Sequence, residues 1–190
     1  MNKRIFDILF SFIGLVFTSC FISILWVLVT YDTKSNGFFF QNRIGQYGRV
    51  FRIYKLKTMC PLTGKISKLG AFLRKSKIDE LPQLWNVLIG DMSFVGPRPD
   101  VSGYYDLLEG ENRKILELKP GLTSLASIKY ANEEEILDTQ ENPLLYNDTV
   151  IFPDKVRMNL DYYYHHSFLG DIKIIVKTVF RFKRFKDSKV

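Results

Sequence analysis

Ser76-Lys77-Ile78-Asp79-Glu80-Leu81-Pro82-Gln83-Leu84-Trp85-Asn86 sets two adjacent carboxylates beside a proline, at the start of a helical pattern. Leu81, Leu84, Trp85 and Leu88 recur at helical spacing and give the segment one apolar face. Pro82 has no N–H and its ring clashes with the preceding turn, so it belongs in a first turn, where backbone donors are orphaned anyway. The spacing predicts a helix from about Asp79 to Leu88, closed by Gly90. A carboxylate at such a helix start lies in the positive end of the dipole, which favours its ionised form and equally favours a bound phosphate. Asp79 then reads either as the helix N-cap, with Ser76 as rival cap, or as a reactive carboxylate. The flanking sequence favours chemistry: Lys55 and Lys57 precede the helix, Arg74 lies just ahead of it, and Gly96-Pro97-Arg98-Pro99 follows.

Toward the N-terminus, Lys3 and Arg4 lead into an uncharged apolar run from Ile8 to Tyr31. A secretory signal has an apolar core of only about 7–15 residues and ends in small residues. This run is longer and ends in Trp26, Tyr31, Asp32 and Lys34, so it reads as a retained membrane element. Lys3 and Arg4 place the N-terminus in the cytoplasm. If the basic remainder faces the same side, the helix must re-enter. Thr18-Ser19 and Ser23 are candidate break points, and there is no proline. Hydropathy leaves a spanning and a re-entrant helix both open.

The 190-residue chain carries 27 Lys and Arg against 20 Asp and Glu, with 16 Phe and 10 Tyr. A basic, aromatic-rich chain suits nucleic acid, an anionic membrane surface or a phosphorylated substrate. Cys20 and Cys60 lie in dissimilar settings and form no disulfide framework. No zinc-type cluster, P-loop or GxGxxG motif is present. His165 and His166 read as surface groups.

Between the membrane run and the Asp-Glu pair, two short strands are predicted, joined at Gly45/Gly48, the second alternating basic and apolar residues through Lys55 and Lys57. That second strand either delivers a lysine to a phosphate or is a charged edge strand. Cys60 to Gly70 reads as a polar loop and Ala71 to Lys75 as a brief helix with Arg74. Arg98, held between two prolines, is a pre-organised ligand for phosphate or carboxylate. Tyr104 to Leu118 reads as an amphipathic helix, the acidic Glu133-Glu134-Glu135 as surface, and Gln140 to Pro153 as a surface loop. Ile172 to Lys186 reads as a basic amphipathic helix, with Lys173, Lys177, Arg181, Lys183, Arg184 and Lys186, suited to an anionic membrane surface.

These motifs together resemble the bacterial sugar transferases, in particular the small monotopic polyprenyl-phosphate phosphoglycosyl transferases. The resemblance runs through Lys3-Arg4-x-Phe6-Asp7, Gln41-Asn42-Arg43-x-Gly45, Tyr54-Lys55-Leu56-Lys57-Thr58-Met59, Asp79-Glu80-Leu81-Pro82-Gln83-Leu84 and Gly90-Asp91-Met92-Ser93-Phe94-Val95-Gly96-Pro97-Arg98-Pro99. It continues through Lys119-Pro120-Gly121-Leu122-Thr123, Asp161-Tyr162-Tyr163 and Ser167-Phe168-x-x-Asp171. It implies a helix-rich α+β fold: a re-entrant membrane helix over residues 1–33, then a compact cytosolic catalytic domain over 34–190 with short strands and interfacial amphipathic helices. It implies transfer of a phosphosugar from a UDP-sugar to undecaprenyl phosphate, with UMP released, at the cytoplasmic face of the bacterial inner membrane.

By the same resemblance, catalysis is ping-pong and needs Mg²⁺, with Asp79 as nucleophile and metal ligand. Glu80 either positions metal or handles a proton, and Lys57, Arg74 and Arg98 hold phosphates. Membrane lipids are partners and nucleic acid is not. Two departures stand out. The family breaks its membrane helix at Ser-Pro, where this chain has Ser19-Cys20, and follows Lys-Pro-Gly with Thr-Gly-Trp-Ala-Gln, where this chain has Thr123-Ser124-Leu125-Ala126-Ser127. The second departure predicts an altered sugar preference or reduced activity. It also leaves room for a membrane-anchored binding protein without turnover. A nucleic-acid-binding protein is the other alternative, but no groove-reading motif supports it.

Overall fold

A computed structural model describes residues 3–187, with side chains described through residue 181. It divides into two compact units, residues 1–43 with 50–93 and residues 44–49 with 94–190. The chain is helix-rich with two small sheets, the expected α+β class.

The first unit is built on α1 (Lys3–Thr33), which is helical throughout and runs unbroken through Ser19-Cys20. At about 1.5 Å per residue it is roughly 46 Å long. It is the one helix among the described residues long and apolar enough to cross a membrane. Its Ser and Thr hydroxyls bond back to its own carbonyls: Ser11 to Asp7, Thr18 to Gly14, Ser23 to Ser19 and Thr33 to Val29. Polar side chains thus cost the apolar helix no unsatisfied donor.

The predicted hairpin is present, with β1 (Phe38–Ile44) and β2 (Val50–Leu56) paired. Gly37 faces Lys57 at one end (2.7 Å) and Gly45 faces Arg49 at the other (2.8 Å). Gly37 is a close approach: a Cβ there would lie 2.5 Å from the Trp26 carbonyl oxygen. Then come α2 (Lys68–Ser76), a 3₁₀ segment Ile78–Gln83 and α3 (Leu84–Ile89).

The same unit grips both ends of α1. Near its N-terminus, the Arg4 guanidinium donates to the Val87 and Leu88 carbonyls at 2.6 and 2.7 Å, capping the end of α3. Gly14 lies against Leu84, so α3 runs antiparallel to α1. Near its C-terminus, Leu25 and Val29 pack with Leu56 and Leu73 in one core. The opposite side exposes Phe12, Val16, Phe17, Ile24, Val27 and Tyr31.

The second unit pairs β3 (Ser93–Val95) with β4 (Gly121–Thr123). It continues as α4 (Leu125–Lys129), α5 (Glu133–Asp138), α6 (Pro143–Tyr146), a π-helical turn Asn147–Ile151, α7 (Phe152–His165) and α8 (Phe168–Asp187). Ile44, Tyr105, Ile115, Leu116 and Val156 form its core.

Three expectations are corrected here. The helix predicted from Tyr104 to Leu118 is two 3₁₀ segments, Tyr105–Leu107 and Gly110–Glu117, the second opening at Gly110 with φ +54°. The loop read from Gln140 to Pro153 is helical from Pro143 onward, started by Asn142, whose side chain accepts from the Leu145 N–H at 3.0 Å, and the acidic stretch at Glu133 opens α5. The helix predicted from Asp79 is 3₁₀ through Gln83 and α-helical only from Leu84, ending as expected at Gly90 (φ 98°). The C-terminal helix is present. It buries Ile174 and Asp171 and exposes Leu169, Val176, Val179 and Phe180. Lys183, Arg184 and Lys186 have side chains outside the described residues.

Candidate active site

The reactive pair is placed by a change of helix type. α2 is capped by Ser67, whose hydroxyl accepts from the Gly70 N–H at 2.9 Å. It stops at Lys77, a non-glycine residue in the left-handed region (φ 56°). Such a residue ends a helix cleanly. Ser76, the rival cap, belongs to α2 and donates to its Phe72 carbonyl at 2.8 Å. No side chain caps the 3₁₀ segment, so Asp79 is not an N-cap.

Asp79 is buried, with 7% of its surface exposed, and its Oδ1 has no hydrogen-bond partner. A buried carboxylate oxygen without a donor is costly unless something else satisfies it. Burial, reinforced by the charge of Glu80, pushes the Asp79 carboxyl up to about 6; Lys55, Lys77 and Arg74 pull in the other direction.

Two cations around the pair are themselves held. The Lys55 ammonium lies 2.9 Å from Glu80 Oε1, both side chains largely buried. Arg74 Nε donates to Thr58 Oγ1 at 2.7 Å. That bond depends on Gly70, where a Cβ would sit 2.1 Å from the Thr58 carbonyl oxygen, so only glycine lets α2 lie on this backbone. Behind them, the fully buried Asn86 side chain donates to the Arg52 carbonyl (2.7 Å) and accepts from the Tyr54 N–H (3.2 Å). It takes the place of a strand neighbour along β2 and fixes where Lys55 emerges.

The structure therefore brings together Asp79, Glu80, Arg74, Lys55 and Lys77. Lys57 is placed elsewhere in the same unit: its ammonium donates to Ser35 Oγ at 2.9 Å, just past the end of α1. Arg98 is exposed in the second unit, on a stiff backbone. Gly96 donates to the Thr123 carbonyl at 3.0 Å, and Gly121 to the Pro97 carbonyl at 2.8 Å. A Cβ on Gly96 would come within 2.2 Å of the Lys119 carbonyl oxygen. Ser124 and Ser127, in the segment that departs from the family pattern, form the cap of α4: Ser124 Oγ accepts from the Ser127 N–H at 3.0 Å.

Among the described residues no three His, Cys, Asp or Glu side chains converge as a metal cage. Mg²⁺ does not require one; it keeps several waters and takes one or two carboxylates plus substrate phosphates. The unpartnered Oδ1 of Asp79, a hard oxygen beside a second carboxylate, fits that mode.

Lys77, Thr58 and Asn86 were not singled out from sequence as site residues. Lys55 was read as the alternative to Lys57 for delivery to a phosphate, but nothing signalled its pairing with Glu80.

A buried carboxylate with a free oxygen, ringed by cations and carried beside a long apolar helix, defines a membrane-associated site for chemistry on anionic groups. The profile of the bacterial sugar transferase family matches residues 1–184, and the chain belongs to that family. Galactosyl transferase CpsE of Streptococcus agalactiae is 35% identical over 93% of this chain. The uncharacterized sugar transferase EpsL of Bacillus subtilis is 34% identical over 93% of the chain. UDP-glucose:undecaprenyl-phosphate glucose-1-phosphate transferase of Klebsiella pneumoniae is 31% identical over 94%. The chain spans 41%, 85% and 39% of those proteins respectively.

Proposed function

We propose that this chain transfers a phosphosugar from a UDP-sugar to undecaprenyl phosphate, releasing UMP, in two displacements at Asp79. In the first, an Asp79 carboxylate oxygen forms a bond to the sugar-bearing β-phosphorus. The bond from that phosphorus to the oxygen bridging to the α-phosphate breaks, and UMP leaves with the electron pair. In the second, a phosphate oxygen of undecaprenyl phosphate bonds to the same phosphorus and the Asp79 carboxylate leaves, giving the polyprenyl diphosphosugar and restoring the enzyme. A carboxylate nucleophile splits one encounter between two anions into two easier steps.

The observation that carries this reading is the buried Asp79, with its unpartnered Oδ1, in a chain of this family. A carboxylate lifted toward 6 is both ionised at neutral pH and less strongly solvated than a surface one. Arg74 and Lys55 oppose charge on the transferring phosphate, and Glu80 is positioned by Lys55; Arg98 is a phosphate ligand by the family resemblance alone. Mg²⁺ held by Asp79, with Glu80 beside it, would neutralise charge on the diphosphate.

We assign α1 to the cytoplasmic leaflet of the inner membrane, entering and leaving on the cytoplasmic side. The grip of one compact unit on both its ends supports a single face, and its unbroken course, which lacks the break a re-entrant turn needs, has it lie along that leaflet rather than turn back. The exposed apolar residues of α8, taken by themselves, suit a membrane surface. The test is UMP release from a panel of UDP-sugars, with Mg²⁺ and undecaprenyl phosphate. Wild type releases UMP from at least one donor and Asp79→Asn from none; equal release by both would refute the assignment.

A further inference from the structure

Lys77 is the residue on which one helix ends and another begins. Its N–H donates to the Arg74 carbonyl at 3.1 Å, closing α2. Its carbonyl accepts the Glu80 N–H at 3.2 Å, opening the 3₁₀ segment that carries Asp79. It does both with a left-handed backbone, φ 56° and ψ 17°. Glycine or asparagine adopts that conformation cheaply, and a long side chain does not. Lysine is therefore a strained choice here, and such outliers cluster at functional positions.

The side chain is also uncommitted. Lys55 is paired with Glu80 and Arg74 is bonded to Thr58, so protein partners fix both cations. Lys77 is exposed, and among the described residues its ammonium has neither a hydrogen-bond nor an ion-pair partner. Its charge still reaches Asp79, two residues on, where it opposes the effect of burial. Phosphoryl displacement places the attacking and leaving oxygens roughly in line. Asp79 is buried, so that line runs outward from its carboxylate and the leaving oxygen comes out on the solvent side. Cations held by the protein suit the phosphoryl group that stays. A free cation on a flexible stem suits the group that departs.

We propose that Lys77 is a catalytic residue of the first displacement, its ammonium pairing with the nucleotide's α-phosphate as that group becomes the phosphate of the leaving UMP. The proposal rests on the transferase reading of Asp79 and deepens it by naming what receives the leaving group. When the bond from the β-phosphorus to the bridging oxygen breaks, the electron pair stays on that oxygen. Lys77 offsets the new charge, and no proton is transferred. UMP then departs without a buried ion pair to break. The second displacement, which involves no UMP, makes no use of Lys77.

Two measurements test it. Lys77→Asn and Lys77→Gly remove the charge and keep the backbone, since both residues take a positive φ, and they melt within about 3 °C of wild type. Rapid quench with the UDP-sugar and Mg²⁺, without acceptor, reads the first displacement. Both variants slow the UMP burst at least about tenfold, and Lys77→Arg, which keeps the charge, stays within about threefold. Discharge of the preformed adduct by undecaprenyl phosphate stays within about twofold in all three. Lys75→Gln, which removes a like charge from the exposed side of α2, leaves both steps unchanged. An unchanged burst in Lys77→Asn, an equal loss in both displacements, or an equal loss in Lys75→Gln overturns the proposal. Titration of UMP into the resting protein needs no turnover. Lys77→Asn weakens UMP binding about fivefold and leaves uridine binding unchanged, and equal UMP affinity in variant and wild type contradicts the proposal. A wild type that binds UMP through Lys77 yet gives no burst would sink the transferase reading and leave the phosphate site standing.

Discussion

Asp79 is held at a cost that depends on pH. Its carboxyl titrates near 6 in the folded chain, against about 3.9 unfolded. Between those values the folded state binds more protons, so stability falls as pH rises through that window. The sign predicts that Asp79→Asn stabilises the protein at pH 7.5, by up to about 3 kcal/mol, and that the gain disappears near pH 4. Thermal unfolding of both proteins across that range checks it. Formation of the covalent intermediate should fall tenfold per pH unit below about 6, because the nucleophile is the ionised form. Rapid-quench measurement of UMP in the first turnover reads this directly.

Sequence adjacency made Asp79 and Glu80 legible, but not the environment that tunes them. Lys55 and Lys57 are equivalent by strand periodicity. They differ because Glu80 meets one and Ser35 the other, and those partners are far away in sequence.

Among the elements, the small ones that aim the site are the most sensitive. Gly70→Ala drives a Cβ into the Thr58 backbone at 2.1 Å and should cost about 2–3 kcal/mol. Because Thr58 holds Arg74, the same change should lower turnover beyond what lost stability explains, measured as UMP release well below the melting point. Asn86→Ala strands the Tyr54 N–H and the Arg52 carbonyl along β2 and should cost about 2–4 kcal/mol in denaturant unfolding.

The hairpin and the Gly90 stop were readable because local chemistry decides them: glycines at the turn and a glycine in the left-handed region. The 3₁₀ course of Ile78–Gln83 was not. Apolar spacing cannot separate a 3₁₀ segment from an α-helix over one turn, and the break is made by Lys77, a residue type that gives no warning of a positive φ. Helices between Glu133 and Ile151 were hidden because they are short and bury little.

At the scale of the whole molecule, α1 is both membrane element and core helix. Leu25 and Val29 complete the cluster around Leu56 and Leu73, and Arg4 caps α3. A chain beginning at residue 34 should therefore not behave as a soluble enzyme. It should aggregate or lose cooperative unfolding, as seen by size exclusion and circular dichroism. A well-folded, active 34–190 fragment would contradict this. The apolar run was plain in the sequence; its second task was not, because Leu25 and Val29 look like any other residues of a membrane helix.

The central claim is that Asp79 carries the phosphosugar. Intact-protein mass spectrometry of the chain incubated with its UDP-sugar and Mg²⁺, without acceptor, tests it most directly. The account predicts an added mass equal to one phosphosugar, located at Asp79, absent from Asp79→Asn and discharged by undecaprenyl phosphate. UMP formed only when acceptor is present, with no adduct at any time, would contradict it and point to a single direct displacement.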